Sequence, residues 1–266
     1  RFLNDVNSFL KPDGIILIVF SSLTKKEKVE EFIKNNLLDF KELEKAHIFF
    51  EDIHVYLLWK NEFLKKLEER GIENIKYLAK GYRGLLFTGV YRNRKAAIKT
   101  KNPHSKAFGR IENEAKWLKK LNKHGIGPKL LLVGSNYFVY KYIEGDFIVD
   151  FIKKSGKNSI KKIIKKIFSQ MFALDKLKID KEEMHHPLKH VIISKNRPCL
   201  IDFERAHYTD KPKNVTQFCQ FLISGHLNKI LMKKKIHIDK NKIIQLAKFY
   251  KNSQNIKNLK KIIEIL

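Results

Sequence analysis

Cysteine is scarce. Only Cys199 and Cys219 occur in 266 residues, both within apolar stretches, so no disulfide framework holds this chain together. Two isolated thiols of that kind fit a reducing compartment, and a cytoplasmic location is expected. Long hydrophobic runs are missing as well: none reaches the roughly 18 apolar residues that cross a bilayer, so no membrane partner is expected. The first residues also lack the charged-then-apolar order of a secretion signal. Acidic residues are outnumbered, 28 against 55 lysines and arginines, for a formal net charge of +27. What is present, 43% hydrophobic and 31% charged residues, suits a globular chain of one large or two small domains.

A positive charge of this size attracts phosphates, and contact with RNA or the ribosome through a basic surface is one reading of it. Lysine is, however, spread along nearly the whole chain together with abundant Ile and Asn. A solvated lysine surface accounts for that distribution equally well.

Residues 1–60 have a character of their own. Phe2, Leu3, Val6, Phe9 and Leu10 recur at helical spacing, Lys11-Pro12-Asp13-Gly14 makes a turn, and Ile15 to Phe20 reads as a strand covered on both faces. Thr24 and Glu27 have the spacing of a capping box for a helix through about Asn36. Strands are expected at about Ile48 to Phe50 and His54 to Trp59. This order of helix, L-K-P-D-G turn, strand, S-S-L-T, helix, F-F-E-D and strand resembles the closing third of a class I methyltransferase of the HemK glutamine-methyltransferase type. The resemblance covers about the first 60 residues and implies a methyltransferase C-terminal fragment. The glycine-rich methyl-donor loop and the N-P-P-Y motif of those enzymes do not occur here, so no methyltransferase active-site residue is carried over. A fully apolar strand needs neighbours on both edges and cover on both faces. Because this segment supplies too little of either, and the chain begins with Arg1, a fragment of a longer fusion protein or a remnant that leans on the second domain is expected, with a small independent α+β adaptor as the alternative.

A charged helix over about Asn61 to Arg70, with Phe63, Leu64 and Leu67 as its apolar stripe, links to a second domain over 72–266. Strand patterns such as Tyr77 to Phe87, Ala96 to Lys99 and Phe138 to Ile143 stand beside helical ones at 108–122, 148–178 and 226–266, so the chain is expected to be α+β. Between Phe108 and Asn122, Ile111, Ala115, Leu118 and Leu121 build one apolar helix face with Glu114 in its middle, while Glu112 turns toward solvent. A carboxylate on a buried stripe is costly unless paired, so Glu114 requires a partner.

Short motifs stand at intervals around that helix. Tyr77 to Phe87 is a strand, a turn with Gly81 and Gly84, and a second strand; Ala96-Ala97-Ile98-Lys99 ends a strand on lysine. Phe138 to Gly145 is a strand and turn, 148–178 is helical, and Pro198-Cys199-Leu200-Ile201-Asp202-Phe203-Glu204 leads an aspartate out of a strand. His185, His186 and His190 share one loop but lack the accompanying Cys or carboxylate spacing of a zinc site. Residues 226–266 read as basic helices.

In order and spacing, these motifs over about 72–224 resemble protein kinases. P-x-K-H-V before a strand, followed by I-D-F-E-R-A, is similar to atypical archaeal Ser/Thr kinase-like proteins related to the RIO kinases and to the small kinase of the tRNA-modifying KEOPS complex. The resemblance implies a bilobal fold, with a β-rich N-lobe over about 72–142 and a helical C-lobe over about 143–266, that transfers phosphoryl groups from ATP with Mg²⁺. Gly81 and Gly84 would then cover the phosphates, and Lys99, held by Glu114, would orient them. Ala97, Tyr140, Lys141, Ile143 and Asp146 would line the nucleotide, with Tyr140 as gatekeeper, the backbone of Lys141 and Ile143 on adenine and Asp146 on the ribose. Asp202 would bind the metal. The catalytic loop departs from the family pattern. Glu183 is the carboxylate closest to the base position, and Lys189 or His190 sits where Asn is expected, either of them placed to neutralise the transferred group. The missing Asp and Asn leave a nucleotide-binding pseudokinase scaffold as an alternative. The absence of an A-P-E segment leaves a specialised protein substrate, autophosphorylation and ATP hydrolysis open.

Overall fold

Apolar periods of two and of 3.6 residues alternate along the chain, and strands and helices follow them. The computed structural model describes residues 5–81, 84–101 and 110–266 and is of the α+β class. After a 3₁₀ turn at Val6–Ser8 come β1 (Ile15–Ser21), α1 (Lys26–Asn35), β2 (Leu38–Ile48), β3 (Glu51–Lys60) and α2 (Glu62–Glu69). Strands β4 (Ile72–Lys80), β5 (Gly84–Tyr91) and β6 (Arg94–Lys101) precede α3 (Arg110–Leu121), β7 (Leu130–Gly134) and β8 (Tyr137–Lys141). Next are β9 (Asp146–Phe147), α4 (Ile148–Lys154), α5 (Lys157–Lys176), β10 (Ile179–Asp180), β11 (Val191–Ser194), β12 (Arg197–Leu200) and β13 (His207–Tyr208). The chain continues with α6 (Asn214–Leu222), α7 (Gly225–Lys233), α8 (Lys240–Asn252) and α9 (Ile256–Glu264). Two compact units result, Arg1–Lys106 with Tyr137–Tyr142, and Ala107–Asn136 with Ile143–Leu266. Among the described residues no helix is long and apolar enough to cross a membrane.

In the first unit, β1, β3 and β2 form an antiparallel sheet in that order. Helix α1 covers one face, where Val6, Ile33, Leu38, Tyr56 and Leu58 make the core and Ile16, Ile18, Phe20 and Phe40 pack against it. The other face of β1 is open: Ile15, Leu17 and Val19 are 64%, 61% and 66% exposed. This corrects the expectation of a strand covered on both sides, because one amphipathic helix on a three-stranded sheet covers only alternate residues. Another expectation fails locally. The capping box does not form, since Thr24 donates its hydroxyl to the Ser21 carbonyl and α1 starts one residue later, with Lys25 at its N-cap at φ +62°. Of the expected first helix, Phe2 and Leu3 lie outside the described residues, Asp5 is helical and a 3₁₀ turn follows at Val6–Ser8. Lys60 is buried at the end of β3 and donates to both carboxylate oxygens of Glu68 on α2, at 2.7 and 2.9 Å. A second antiparallel sheet of the same unit runs β4-β5-β6-β8.

The second unit is mainly helical. Ile160, Ile163, Ile164, Ile167, Phe168 and Met171 give α5 a continuous buried stripe, and Phe168 meets Phe218 of α6 edge-on, their ring centroids 5.0 Å apart. A small sheet, β12-β11-β9, lies in this unit, with Asp146 opposite Ile193. Two glycines are required by close approach. A Cβ at Gly145 would overlap the Ile193 carbonyl oxygen, and one at Gly127, whose φ is +79°, would lie 2.8 Å from Leu118 Cδ2 and 3.2 Å from Phe203 Cε2. Replacing Gly145 by Ala should therefore lower stability by about 2–3 kcal/mol, measured by urea denaturation. An unchanged midpoint would mean that the β9–β11 contact yields without cost.

Candidate functional site

Strand β12 stops at Leu200, and the next N–H, that of Ile201, bonds the His190 carbonyl at 2.9 Å. Asp202 then takes φ +63°, a left-handed conformation that Asp tolerates better than most residues with a Cβ. The turn sends Phe203 into the core, fully buried. The Phe203 N–H donates to Glu114 Oε1 at 3.3 Å, so the carboxylate embedded in the apolar face of α3 holds the backbone directly after Asp202. Asn113 adds a bond from its side-chain amide to the Glu204 carbonyl at 2.8 Å.

The Asp202 carbonyl accepts from Lys181 Nζ at 2.9 Å. Lys181 is only 2% exposed, and a buried ammonium demands donor-compatible company. Besides that carbonyl it has His190 Nδ1 at 3.4 Å and the Phe203 ring centroid at 5.1 Å. His190 Nδ1 lies 3.8 Å from Asp202 Oδ2, and its Nε2 lies 3.5 Å from Glu183 Oε2. A neutral imidazole with its proton on Nε2 satisfies this arrangement, accepting at Nδ1 and facing Glu183 with its N–H. The other Glu183 oxygen accepts from Arg205 Nη1 at 2.6 Å. The side chains of Glu183 and Asp202 are each 32% exposed, so both carboxylates are open to a solute.

The loop carrying Glu183 is held from behind. Glu182 and Glu183 both have left-handed backbones, φ +61° and +58°, a strained pair that needs outside support. Asp180 accepts from the Glu182 N–H at 2.9 Å and the Lys213 N–H at 3.1 Å. Asn214 Oδ1 accepts the Lys181 N–H, and Gln217 Oε1 the Met184 N–H, both at 2.9 Å. Asn214 donates in turn to Asp175 Oδ1 at 2.7 Å, and Tyr250 donates its hydroxyl to Asp175 Oδ2 at 2.9 Å. Burial pushes the Asp175 carboxyl up to about 6 although these bonds pull it down, and burial likewise raises the Tyr250 phenol. Burial also pushes the Cys199 and Cys219 thiols up to about 12, which leaves neither as a nucleophile at neutral pH.

Glu183, His190 and Asp202 thus come together, with Glu114 bonded to the adjoining residue. Lys189 faces solvent on the same loop, Asp146 is paired with Lys154 at 2.6 Å, and Ile143 is half-buried. In the first unit, Ala97 lies opposite Tyr140, and Lys141 opposite Ala96. Lys99 is half-buried between Leu86 and Phe138. The Gly81 N–H donates to the Gly84 carbonyl at 2.8 Å, and a Cβ at Gly84 would lie 3.5 Å from Lys99 Cε, so that hairpin backbone runs beside the lysine. Tyr82 and Arg83 at its tip lie outside the described residues.

Lys181, Arg205, Asn214 and Gln217 were not singled out by sequence. Nothing marks Lys181 or Arg205 among 55 basic residues, whereas an Asn and a Gln in the first turn of a helix, after a loop carrying Asp180, Glu182 and Glu183, carry a usable signal. Among the described residues no group of three or more His, Cys, Asp and Glu is arranged to hold a metal by itself. No known protein-family model matches this chain, and no curated protein matches its sequence.

The Asp175 network has a pH signature. Its folded-state value of about 6 exceeds the unfolded value of 3.8, so the stability linked to it is complete below pH 4 and is lost as pH rises to about 6. Relative to Asp175→Asn, the natural protein should lose on the order of 3 kcal/mol across that window. Denaturant unfolding at a series of pH values measures the difference, and a difference curve flat between pH 4 and 7 would contradict it.

Proposed function

We propose that this chain is an ATP- and Mg²⁺-dependent phosphotransferase of an atypical, bilobal kinase-like kind, acting on ATP and a protein substrate. The observation that carries the reading is the hold on Asp202 and Phe203. A turn with a partly exposed carboxylate is held at the Phe203 N–H by Glu114 and at the Asp202 carbonyl by Lys181, with His190 and Glu183 beside it. The donors suit magnesium, which takes one or two carboxylates and completes its shell with water and nucleotide phosphates rather than needing an all-protein cage. Asp202 would hold the ion, whose contribution is to neutralise charge on the phosphates.

The chain's own residues would do the rest. Lys181 keeps the Asp202 backbone from shifting, and Glu183 would accept the proton of a substrate hydroxyl through Oε2, with Arg205 bonded to Oε1. Lys189, through its charge, or His190, through an N–H, would help neutralise the transferred group. Lys99 and the backbone at Gly81 and Gly84 serve the nucleotide phosphates, with Ala97, Tyr140, Lys141, Ile143 and Asp146 around its base and sugar. One observation favours the second reading, a nucleotide-binding scaffold without turnover: Arg205 already occupies one oxygen of the candidate base at 2.6 Å.

Asp202→Ala should lower Mg²⁺-dependent phosphate release from radiolabelled ATP by about 100-fold or more. Lys99→Met should weaken ATP binding in an equilibrium titration. Turnover that persists unchanged in Asp202→Ala removes the assignment. Nucleotide binding by the natural protein without any release of labelled phosphate replaces it with the scaffold reading.

A further inference from the structure

Helices α6 and α8 are joined through Tyr250 and the Asp175 network, and beside that contact they leave a groove of about 560 Å³. Ile223, Ile243 and Ala247 form its apolar floor, with Ile243 fully buried, and the exposed side chains of Lys213, Lys248 and Lys251 stand around it. Among its described lining residues none is Asp or Glu, and none is Phe, Tyr or Trp. The two absences point the same way. Three lysines with no carboxylate among them select an anionic ligand, and an aliphatic floor rewards one that also brings apolar side chains. A nucleic acid satisfies the lysines alone, because sequence-tolerant binding of single strands relies on aromatic rings on which bases stack.

We propose that this groove docks an acidic, aliphatic segment of a partner protein, leucine-type side chains on Ile223, Ile243 and Ala247 and flanking carboxylates on the lysines. Its location ties it to the candidate site. Gln217 lines the groove and accepts the Met184 N–H through Oε1 at 2.9 Å, and His185, also lining it, is two residues beyond Glu183. A segment docked here therefore lies against the back of the loop that presents Glu183. That consequence for substrate presentation rests on the phosphotransfer reading, whereas the binding itself does not.

The test uses the full chain and a fluorescein-labelled peptide, Glu-Glu-Leu-Leu-Glu-Glu, followed by fluorescence anisotropy at low salt. The same peptide with serines for its leucines and a labelled hexauridylate serve as comparisons. Binding of the leucine peptide should weaken about tenfold in Lys248→Glu/Lys251→Glu, where the steering charge is reversed. It should weaken similarly in Ala247→Phe, which fills the floor, and with the serine peptide. The double variant changes only exposed side chains, so it keeps the test decisive should Ala247→Phe disturb folding, and circular dichroism checks both. Asp202→Ala should bind the peptide as the natural protein does, which separates failure of the groove from failure of the phosphotransfer reading. No binding of the leucine peptide overturns the proposal, as does binding that survives both groove variants. Hexauridylate binding that is lost in both groove variants while the peptide does not bind also overturns it, in favour of a nucleic acid.

Discussion

An ammonium group shut away from water has to be surrounded by acceptors, and that demand on Lys181 organises the second unit. Its Nζ is met by the Asp202 carbonyl and the His190 ring, and it sits over Phe203. Each of those contacts fixes a different piece of chain: the turn after β12, the loop before β11 and the side chain that plugs the core. Removing the lysine would leave the Asp202 carbonyl without this donor and the left-handed turn with one anchor fewer. The Lys181 N–H, meanwhile, is held by Asn214, so the same residue is gripped at its backbone by α6 and at its tip by the site.

The supports and the working groups differ in their exposure to water. Asp175, Asn214 and Lys181 are buried and bonded to one another or to backbone, while Glu183 and Asp202 remain partly open. Rigid polar scaffolding of this kind holds the partly exposed carboxylates in place, because bonded, buried side chains have little freedom to reorganise.

The sequence made some of this legible and concealed the rest for identifiable reasons. The burial of Glu114 was readable because Ile111, Ala115, Leu118 and Leu121 define a helix face around it, and the Asp202-Phe203 turn was readable because an apolar strand runs into it. The bond from Glu114 to the Phe203 N–H was not, because backbone donors leave no mark on a sequence. Strand β2 was largely missed because Leu38-Asp39-Phe40-Lys41-Glu42 alternates only briefly before charged residues take over, and its pairing with β3 rather than its own pattern makes it a strand. The open face of β1 was misjudged because a wholly apolar run reads the same whether one face or two are covered.

That open face has a physical consequence for the protein in solution. Ile15, Leu17 and Val19 lie on an edge strand, a geometry prone to pairing with other strands, while the molecule as a whole carries a net charge of +27. Mutual repulsion between such polycations opposes the approach that edge-to-edge association requires, and its range is the Debye length, about 30 Å at 0.01 M ionic strength and about 8 Å at 0.15 M. Dilute buffer therefore disperses these molecules, and added electrolyte removes the barrier and leaves the stickiness of β1 to act.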